Sequence, residues 1–134
     1  MTYFDTDFWI NYFVEQTSSK HNEAKKIFEK VSKNGFIGTS YLNIQETAFV
    51  LGKLEKNILE SEQIINEFWQ FEPVHYSKIQ FQRAITLAKI IGFKNINDCL
   101  HTAIAEQYCK ELYTFNRRDF DKIKEHTKLK IIIL

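Results

Sequence analysis

The sequence has few of the residues that interrupt regular secondary structure. Only one proline and four glycines occur among 134 residues. Flexible linkers and disordered regions are rich in such residues, so neither forms a large part of the chain. The two cysteines, Cys99 and Cys109, fall in one predicted helix about 15 Å apart, which is beyond the reach of a disulfide. We therefore expect one ordered domain over residues 1–134 with reduced thiols.

Long hydrophobic runs and a strong net charge are also missing. No apolar run approaches the roughly 20 residues that span a bilayer, and no basic segment followed by an apolar stretch opens the chain. We expect a cytoplasmic protein that does not enter membranes. The net charge is +1, which by itself argues neither for nor against nucleic acid as a partner.

The charges are nevertheless unevenly placed along the chain. Residues 110–130 carry seven Lys or Arg against four Asp or Glu, whereas residues 53–72 carry two against five. A phosphate-bearing substrate is expected to prefer the carboxy-terminal side. Two solvated faces of unequal charge are the alternative interpretation.

Short apolar runs alternate with segments of helical periodicity. The runs read as strands because they are too short for helices and because several are rich in β-branched residues. Their alternation with amphipathic segments predicts an α/β domain with a central parallel sheet of about five short strands, covered by helices on both faces. The five predicted strands are residues 2–5, 36–39, 71–74, 112–115 and 130–134.

Two helix starts are central to the functional argument. Ser40 is predicted to cap a helix whose buried side comprises Tyr41, Ile44, Ala48 and Leu51. A later helix is predicted to begin at Asp98, with Asn97 as its cap.

Four carboxylates lie at separated points where a strand or loop leads into a helix: Asp5, Glu46, Asp98 and Asp119. The carboxyl ends of parallel strands meet at one edge of a sheet, so these side chains can converge there. Acids gathered in one cleft repel each other unless a cation neutralises them. Oxygen ligands without a His or Cys pair suit Mg²⁺ or Mn²⁺ better than zinc. Taken singly, Asp98 also fits a simple helix-start acid and Asp119 a solvated turn residue.

Four motifs occur in order and are spread over nearly the whole chain: Tyr3-Phe4-Asp5-Thr6-Asp7, Ser40 through Glu46, Asn97-Asp98-Cys99-Leu100-His101-Thr102-Ala103-Ile104-Ala105, and Leu112-Tyr113-Thr114-Phe115-Asn116-Arg117-Arg118-Asp119-Phe120. Together they resemble the ordered motifs of PIN-domain nucleases, in particular the VapC-type toxins of bacterial toxin–antitoxin pairs. The resemblance implies a PIN-like fold and a metal-dependent endoribonuclease.

The resemblance also implies roles for individual residues. Asp5, Glu46 and Asp98 are expected to bind the metal and to be catalytic, with hydroxyls from Thr6 and Thr114 beside it. Many family members carry an acid where this chain has Asn116. Others use the acid of an Asp-Phe pair, which here is Asp119. We therefore assign the fourth catalytic and metal-binding role to Asp119 and a supporting polar role to Asn116.

The expected chemistry is hydrolysis of an RNA phosphodiester with Mg²⁺ or Mn²⁺. Arg117 and Arg118 are the candidates for binding flanking phosphates, because guanidinium pairs with phosphate through two hydrogen bonds; an exposed, solvated turn is the alternative. The resemblance further implies a small antitoxin as partner. The abundant aromatic residues could form its groove or a homodimer contact, although core packing is the default for such residues: Phe8, Trp9, Tyr12, Phe13, Phe68 and Trp69.

Two other functions compete with the nuclease. A PIN-like protein whose fourth acidic position has lapsed could act only as a protein-binding module. Asp5-Thr6-Asp7 also resembles the nucleophile motif of haloacid-dehalogenase-type phosphatases, but Trp9 stands where that motif needs Thr or Val. His101 lies one helical turn after Asp98, and a lone helical His is more often a surface residue or one with its hydrogen bonds satisfied than a catalytic one.

Overall fold

The computed structural model describes residues 1–134 as alternating strands and helices. In chain order these are β1 (Thr2–Phe4), α1 (Thr6–Phe13), α2 (Ser18–Asn34), β2 (Ile37–Gly38), α3 (Tyr41–Lys53), α4 (Ile58–Glu67), α5 (Lys78–Ile91), α6 (Ile96–Tyr108), β3 (Glu111–Thr114), α7 (Arg117–Ile123) and β4 (Lys130–Ile133). None of the helices has the length and apolar character needed to cross a membrane.

The four strands form one parallel sheet in the order β2-β1-β3-β4. Tyr3 of β1 lies beside Gly38 of β2 on one side and Leu112 of β3 on the other. The chain leaves β1 toward one edge to make β2 and later returns past β1 to make β3. The carboxyl ends of β1 and β3 therefore form a topological switch point, which is where open α/β sheets place their ligand sites.

Each face of the sheet carries its own hydrophobic core. Tyr3 and Leu112 pack on one face with α5, α6 and α7. Phe4 and Tyr113, the next residues along the same strands, pack on the opposite face with α1 and α2. Successive strand residues point to opposite faces, so both faces of these short strands are buried. The expected α/β class, with helices on both faces of a parallel sheet, is confirmed.

Trp9 is the centre of the second core. Its ring lies 5.4 Å from that of Phe4 and 5.1 Å from that of Phe68, both in edge-on orientation. Phe8, Trp9 and Phe68 are fully buried, whereas Trp69 is 48% exposed. Within this chain, three of the aromatic residues considered for an interface therefore serve as core.

The strand predicted at residues 71–74 is wrong. Phe71 ends a short 3₁₀ turn, and Glu72 adopts a left-handed conformation with φ of 49°. Pro73 has no N–H to donate to a neighbouring strand. Only Val74 pairs, through a single bridge to Ser40. The sheet consequently has four strands rather than five.

Two helix predictions also require correction. Tyr41 of α3 is exposed and stacks on His75 at 4.0 Å, while polar Asn43 and Thr47 occupy inward positions. Ile44 and Leu51 are buried as predicted, whereas Tyr41 and Ala48 are exposed, because hydrophobic periodicity cannot reveal inward polar residues. The helix containing Asp98 begins two residues earlier than predicted, at Ile96, because a 3₁₀ turn leads directly into α6.

We expect opposite effects from alanine at two glycines. A Cβ on Gly38 of β2 would lie 2.6 Å from Sγ of Cys109, whereas a Cβ on Gly52 in α3 would meet nothing within 4 Å. Gly38→Ala should lower the free energy of unfolding by about 1–3 kcal/mol. Gly52→Ala should raise it by about 0.5–1 kcal/mol, because alanine loses less backbone entropy in a helix. Urea unfolding measures both.

The Cys109→Ala background supplies the control for this pair. It removes the sulfur that the new methyl group would strike. The cost of Gly38→Ala should therefore shrink in that background. An equal cost with and without the sulfur would show that the Gly38–Cys109 contact does not limit the packing of β2.

Candidate metal centre

An acidic cleft of about 670 Å³ opens at the carboxyl edge of the sheet, beside the ends of β1 and β3. Four of its lining residues are acids that come from three different elements: Asp5, Asp7, Glu46 and Asp98. Asn116, the residue before α7, completes this side of the wall. The topology of the sheet thus gathers residues that are far apart in sequence.

Asp5 forms the floor of the cleft. It directly follows β1, occupies the N-cap position of α1 without a capping hydrogen bond from its side chain, and is 4% exposed. Thr114, the last residue of β3, donates its hydroxyl to Asp5 Oδ2 at 3.0 Å. Burial raises the pKa of the Asp5 carboxyl, and the hydrogen bonds and the nearby His101 offset only part of this rise. Keeping Asp5 ionised therefore costs desolvation free energy, and a bound cation would offset this cost.

Asp7 shares one donor with Asp5, the Thr114 hydroxyl at the end of β3. Its carboxylate accepts from the Phe115 N–H at 3.2 Å and lies 3.3 Å from the Thr114 hydroxyl. Burial and the charge of Asp5 raise the pKa of Asp7 to about 7. Sequence reasoning assigned Asp7 no role, although its place in the first turn of α1, two residues after Asp5, was a usable signal.

Glu46 reaches the cleft from the second turn of α3. Its Oε1 accepts from the Thr6 hydroxyl at 2.7 Å and from His101, and its Oε2 accepts from the Asn97 amide at 3.0 Å. Burial raises the pKa of Glu46, but the hydrogen bond from His101 and its charge outweigh burial, so the pKa is lowered. Glu46 is the acid of the cleft that is most firmly ionised.

Asp98 lies in the first turn of α6, where the helix dipole favours a negative charge. Burial and then the charge of Asp5 nevertheless raise its pKa to about 8. The Asn116 amide donates the one hydrogen bond that its carboxylate accepts, at 3.5 Å. Asp119 lies behind Asn116, whose amide it accepts at 3.0 Å, and it is not among the residues that line the cleft.

The other residues considered from the sequence lie in three places around the cleft. Thr6 and Thr114 are buried and in contact with the acids. Arg117 and Arg118 are exposed at the start of α7, next to Asn116. His101 is 1% exposed and lies beneath the cleft with both ring nitrogens hydrogen-bonded.

The donor set fits a hard divalent cation. It consists of carboxylate oxygens, and burial together with mutual repulsion raises the pKa of three of them. No three acidic, His or Cys side chains lie close enough together to form a complete ligand set by themselves. Mg²⁺ commonly keeps several waters and binds through one or two carboxylates, so this arrangement suits it. Asp5, Glu46 and Asp98 are the candidate ligands, of which one or two would contact the ion directly in this arrangement while water completes its shell.

A second cleft, of about 840 Å³, lies at the opposite, amino edge of the sheet. One of its two acids, Glu106, is already paired with Arg83 through two hydrogen bonds of 3.0 and 2.9 Å. Thr127 donates a further hydroxyl to Glu106. Because this acid is neutralised within the protein, the larger cleft does not share the unbalanced charge of the site around Asp5.

Residues 2–126 match the family model described as PIN domain. The chain belongs to this family, which places it among the hydrolytic nucleases, and the resemblance drawn from the motifs is confirmed. The match also sets aside the phosphatase interpretation. A search of curated proteins finds no match.

Among solved structures, the fold is similar to a chain in the crystal structure of VapBC2 from Rickettsia felis bound to a DNA fragment from their promoter. The TM-score is 0.73 at 19% sequence identity, and the alignment covers 100% of this chain and 99% of that one. The two proteins therefore share a fold over their full aligned length.

We expect the metal-free protein to lose stability as pH rises from about 5 to 8. Asp98 titrates near 8 when folded but near 4 when unfolded, so unfolding releases a proton within this window. The loss is at most about 1.4 kcal/mol per pH unit for one such group. Burial lowers the pKa of His101, but the hydrogen bond to Glu46 and the nearby carboxylate charges raise it overall, so His101 acts in the same direction. Urea unfolding in EDTA measures the slope.

Asp98→Asn should flatten this slope and raise stability at pH 8, because it removes one of several repelling charges. Glu62→Gln, a change at an exposed acid of α4, is the matched control and should leave the slope unchanged. A slope that is the same in Asp98→Asn and in wild type would show that Asp98 is not held against the charge of Asp5.

Proposed function

We propose that this protein is a metal-dependent endoribonuclease and the toxin of a bacterial type II toxin–antitoxin pair. The observation that carries the proposal is the convergence of four acids, Asp5, Asp7, Glu46 and Asp98, in one cleft at the β1/β3 switch point. Membership of the PIN domain family supports the nuclease chemistry. The fold shared with the VapBC2 chain supports the toxin assignment.

In this proposal Asp5, Glu46 and Asp98 hold Mg²⁺ or Mn²⁺. A bound divalent cation lowers the pKa of water and neutralises the charge that grows on the scissile phosphate. Thr6 and Thr114 fix Glu46 and Asp5 through the hydrogen bonds described above. These side chains set the geometry of the cleft, and hydrolysis needs no covalent intermediate on the protein.

Substrate binding is assigned to basic residues close to the cleft. Arg117 and Arg118 begin α7 directly after Asn116, which lines the cleft. Lys20 adds a third cation near the end of β3, since its ammonium group lies 5.8 Å from the ring centre of Phe115. We infer that these side chains bind phosphates flanking the scissile bond.

The partners of this protein are proposed to be RNA, a small antitoxin and a second copy of the chain. Phe49 supports an antitoxin contact, because it lines the cleft and is 68% exposed. Ile58 and Leu59, at the start of α4, are also exposed. A partner segment that covered the cleft could bury these apolar side chains at the same time.

We expect purified protein, free of any inhibitor, to cut RNA internally. EDTA should stop cleavage, and Mg²⁺ or Mn²⁺ should restore it, because the carboxylates then regain their cation. Asp98→Asn should lower the rate by orders of magnitude, while Glu62→Gln should leave it unchanged. Gel analysis of a labelled RNA measures the products, and expression in a bacterium should slow growth only with the active forms.

The same preparation tests the alternative of a catalytically weak binding module. If wild type and Asp98→Asn are equally inert on RNA and bind the same protein partner, the nuclease proposal is refuted. Residual cleavage of equal strength in both proteins would indicate a contaminating nuclease and would count against the proposal in the same way.

The contribution of Asp119 is tested by the order of effects on metal binding. Asp98 lies in the cleft and Asp119 behind Asn116, so Asp98→Asn should weaken Mn²⁺ binding more than Asp119→Asn does. We further expect Asp119→Asn to reduce cleavage more than Asn116→Ala, because only the former removes a negative charge near Asp98. Isothermal calorimetry measures the order of Mn²⁺ affinities, and the cleavage assay measures the order of cleavage rates. The reverse order in cleavage would move the fourth site to Asn116.

A further inference from the structure

His101 has no free ring nitrogen, although it lies against the acidic cleft. It is on α6, one turn after Asp98, and is 1% exposed. Its Nδ1 is 2.7 Å from the Tyr3 hydroxyl. Its Nε2 bonds Glu46 Oε1 and lies 3.3 Å from the Thr6 hydroxyl. Every polar atom of the imidazole is therefore used inside the protein.

The direction of these hydrogen bonds follows from the chemistry of the partners. An ionised carboxylate can only accept, so Nε2 must carry the proton and donate it to Glu46. A protonated ring nitrogen has no lone pair to offer a cation. His101 is also absent from the residues that line the cleft. The imidazole can reach a metal only by releasing Glu46.

The hydrogen bonds continue beyond His101 to the start of α3. The Tyr3 hydroxyl, itself buried, is 2.7 Å from Ser40 Oγ. Ser40 caps α3 by accepting the Asn43 N–H at 3.2 Å. Glu46 lies on the same helix, about one and a half turns after Ser40. The chain Ser40–Tyr3–His101–Glu46 therefore ties both ends of this helical segment to β1 and α6.

We propose that Tyr3 and His101 are positioning residues that fix the Glu46 carboxylate for cation binding, and that His101 is not itself a ligand. This inference rests on the metal site of the proposed function. His101 and Thr6 both donate to Oε1, and Asn97 alone donates to Oε2. Oε2 therefore keeps the freer lone pairs for a cation. Breaking the hydrogen-bond chain Ser40–Tyr3–His101–Glu46, here called the relay, lets the Glu46 carboxylate rotate away from the cation.

Three substitutions test the relay through Mn²⁺ affinity, measured by isothermal calorimetry on the metal-free protein. His101→Gln places an amide N–H near the position of Nε2 and can still donate to Glu46. His101→Asn places its amide near Nδ1 and cannot reach Glu46. Tyr3→Phe removes only the hydroxyl that holds the ring. Thermal unfolding and near-ultraviolet circular dichroism establish that each variant is folded.

We expect His101→Asn to weaken Mn²⁺ binding about 10-fold or more, a size typical for residues that orient metal ligands. His101→Gln should retain more of the affinity than His101→Asn. Tyr3→Phe should weaken binding in the same direction, and its effect should not add fully to that of His101→Asn, because both break one chain. Tyr3→Phe is the smallest change and keeps the test open if His101→Asn fails to fold.

Unchanged Mn²⁺ affinity in Tyr3→Phe and His101→Asn would overturn the proposal. Equal losses in His101→Gln and His101→Asn, with none in Tyr3→Phe, would also overturn it and would indicate that the ring contacts the ion directly. Calorimetry needs no RNA, so the two proposals fail separately. A wild type that binds Mn²⁺ but leaves RNA intact refutes the ribonuclease alone.

Discussion

The concentration of negative charge at the end of β1 is the constraint on which the site depends. Asp5 is buried, and Asp7, Glu46 and Asp98 line the same cleft. Charges in such a place raise each other's pKa unless something positive balances them. Within the protein only the imidazole of His101 approaches Asp5, with Nε2 at 3.7 Å from Oδ1. One imidazole balances at most one of these carboxylates, so the cleft is suited to a divalent cation.

Neutral donors hold the acids in place without cancelling their charge. The Thr114 hydroxyl donates to Asp5 and Asp7, the Thr6 hydroxyl donates to Glu46, and the Asn116 amide donates to Asp98. Asn43 supports Thr6 in turn, donating to its hydroxyl oxygen at 3.2 Å. This division explains why so many polar side chains are buried at this edge of a small domain. Hydrogen bonds fix the geometry while the net charge stays available to an ion.

The fold was largely predictable because its signals are local. Short runs such as residues 130–133 are dense in β-branched residues, and Asp5 is marked by its place after a buried strand. The predicted strand at residues 71–74 failed because one left-handed residue and one proline outweighed the apolar character of the segment. Val74, the last residue of that segment, still pairs with Ser40 through a single bridge, so the segment approaches the sheet without forming a strand.

The interior of the site was not predictable for the opposite reason. Tyr3 and His101 are 98 residues apart in sequence, and His101 and Glu46 are 55 apart. Each of these residues lies inside one of the sequence motifs, but the motifs do not state which side chains meet; only the folded sheet and helices bring them together. Asn43 and Thr47 escaped notice because polar residues on an inward face do not enter a hydrophobic pattern.

Anomalous diffraction from crystals soaked in Mn²⁺ tests the central claim most directly. The account predicts an anomalous peak in the cleft at the ends of β1 and β3, within coordination distance of at least one of Asp5, Glu46 and Asp98, with His101 still bonded to Glu46. A cleft without a peak under conditions that saturate Mn²⁺ binding in solution, or a peak coordinated by His101, would contradict it.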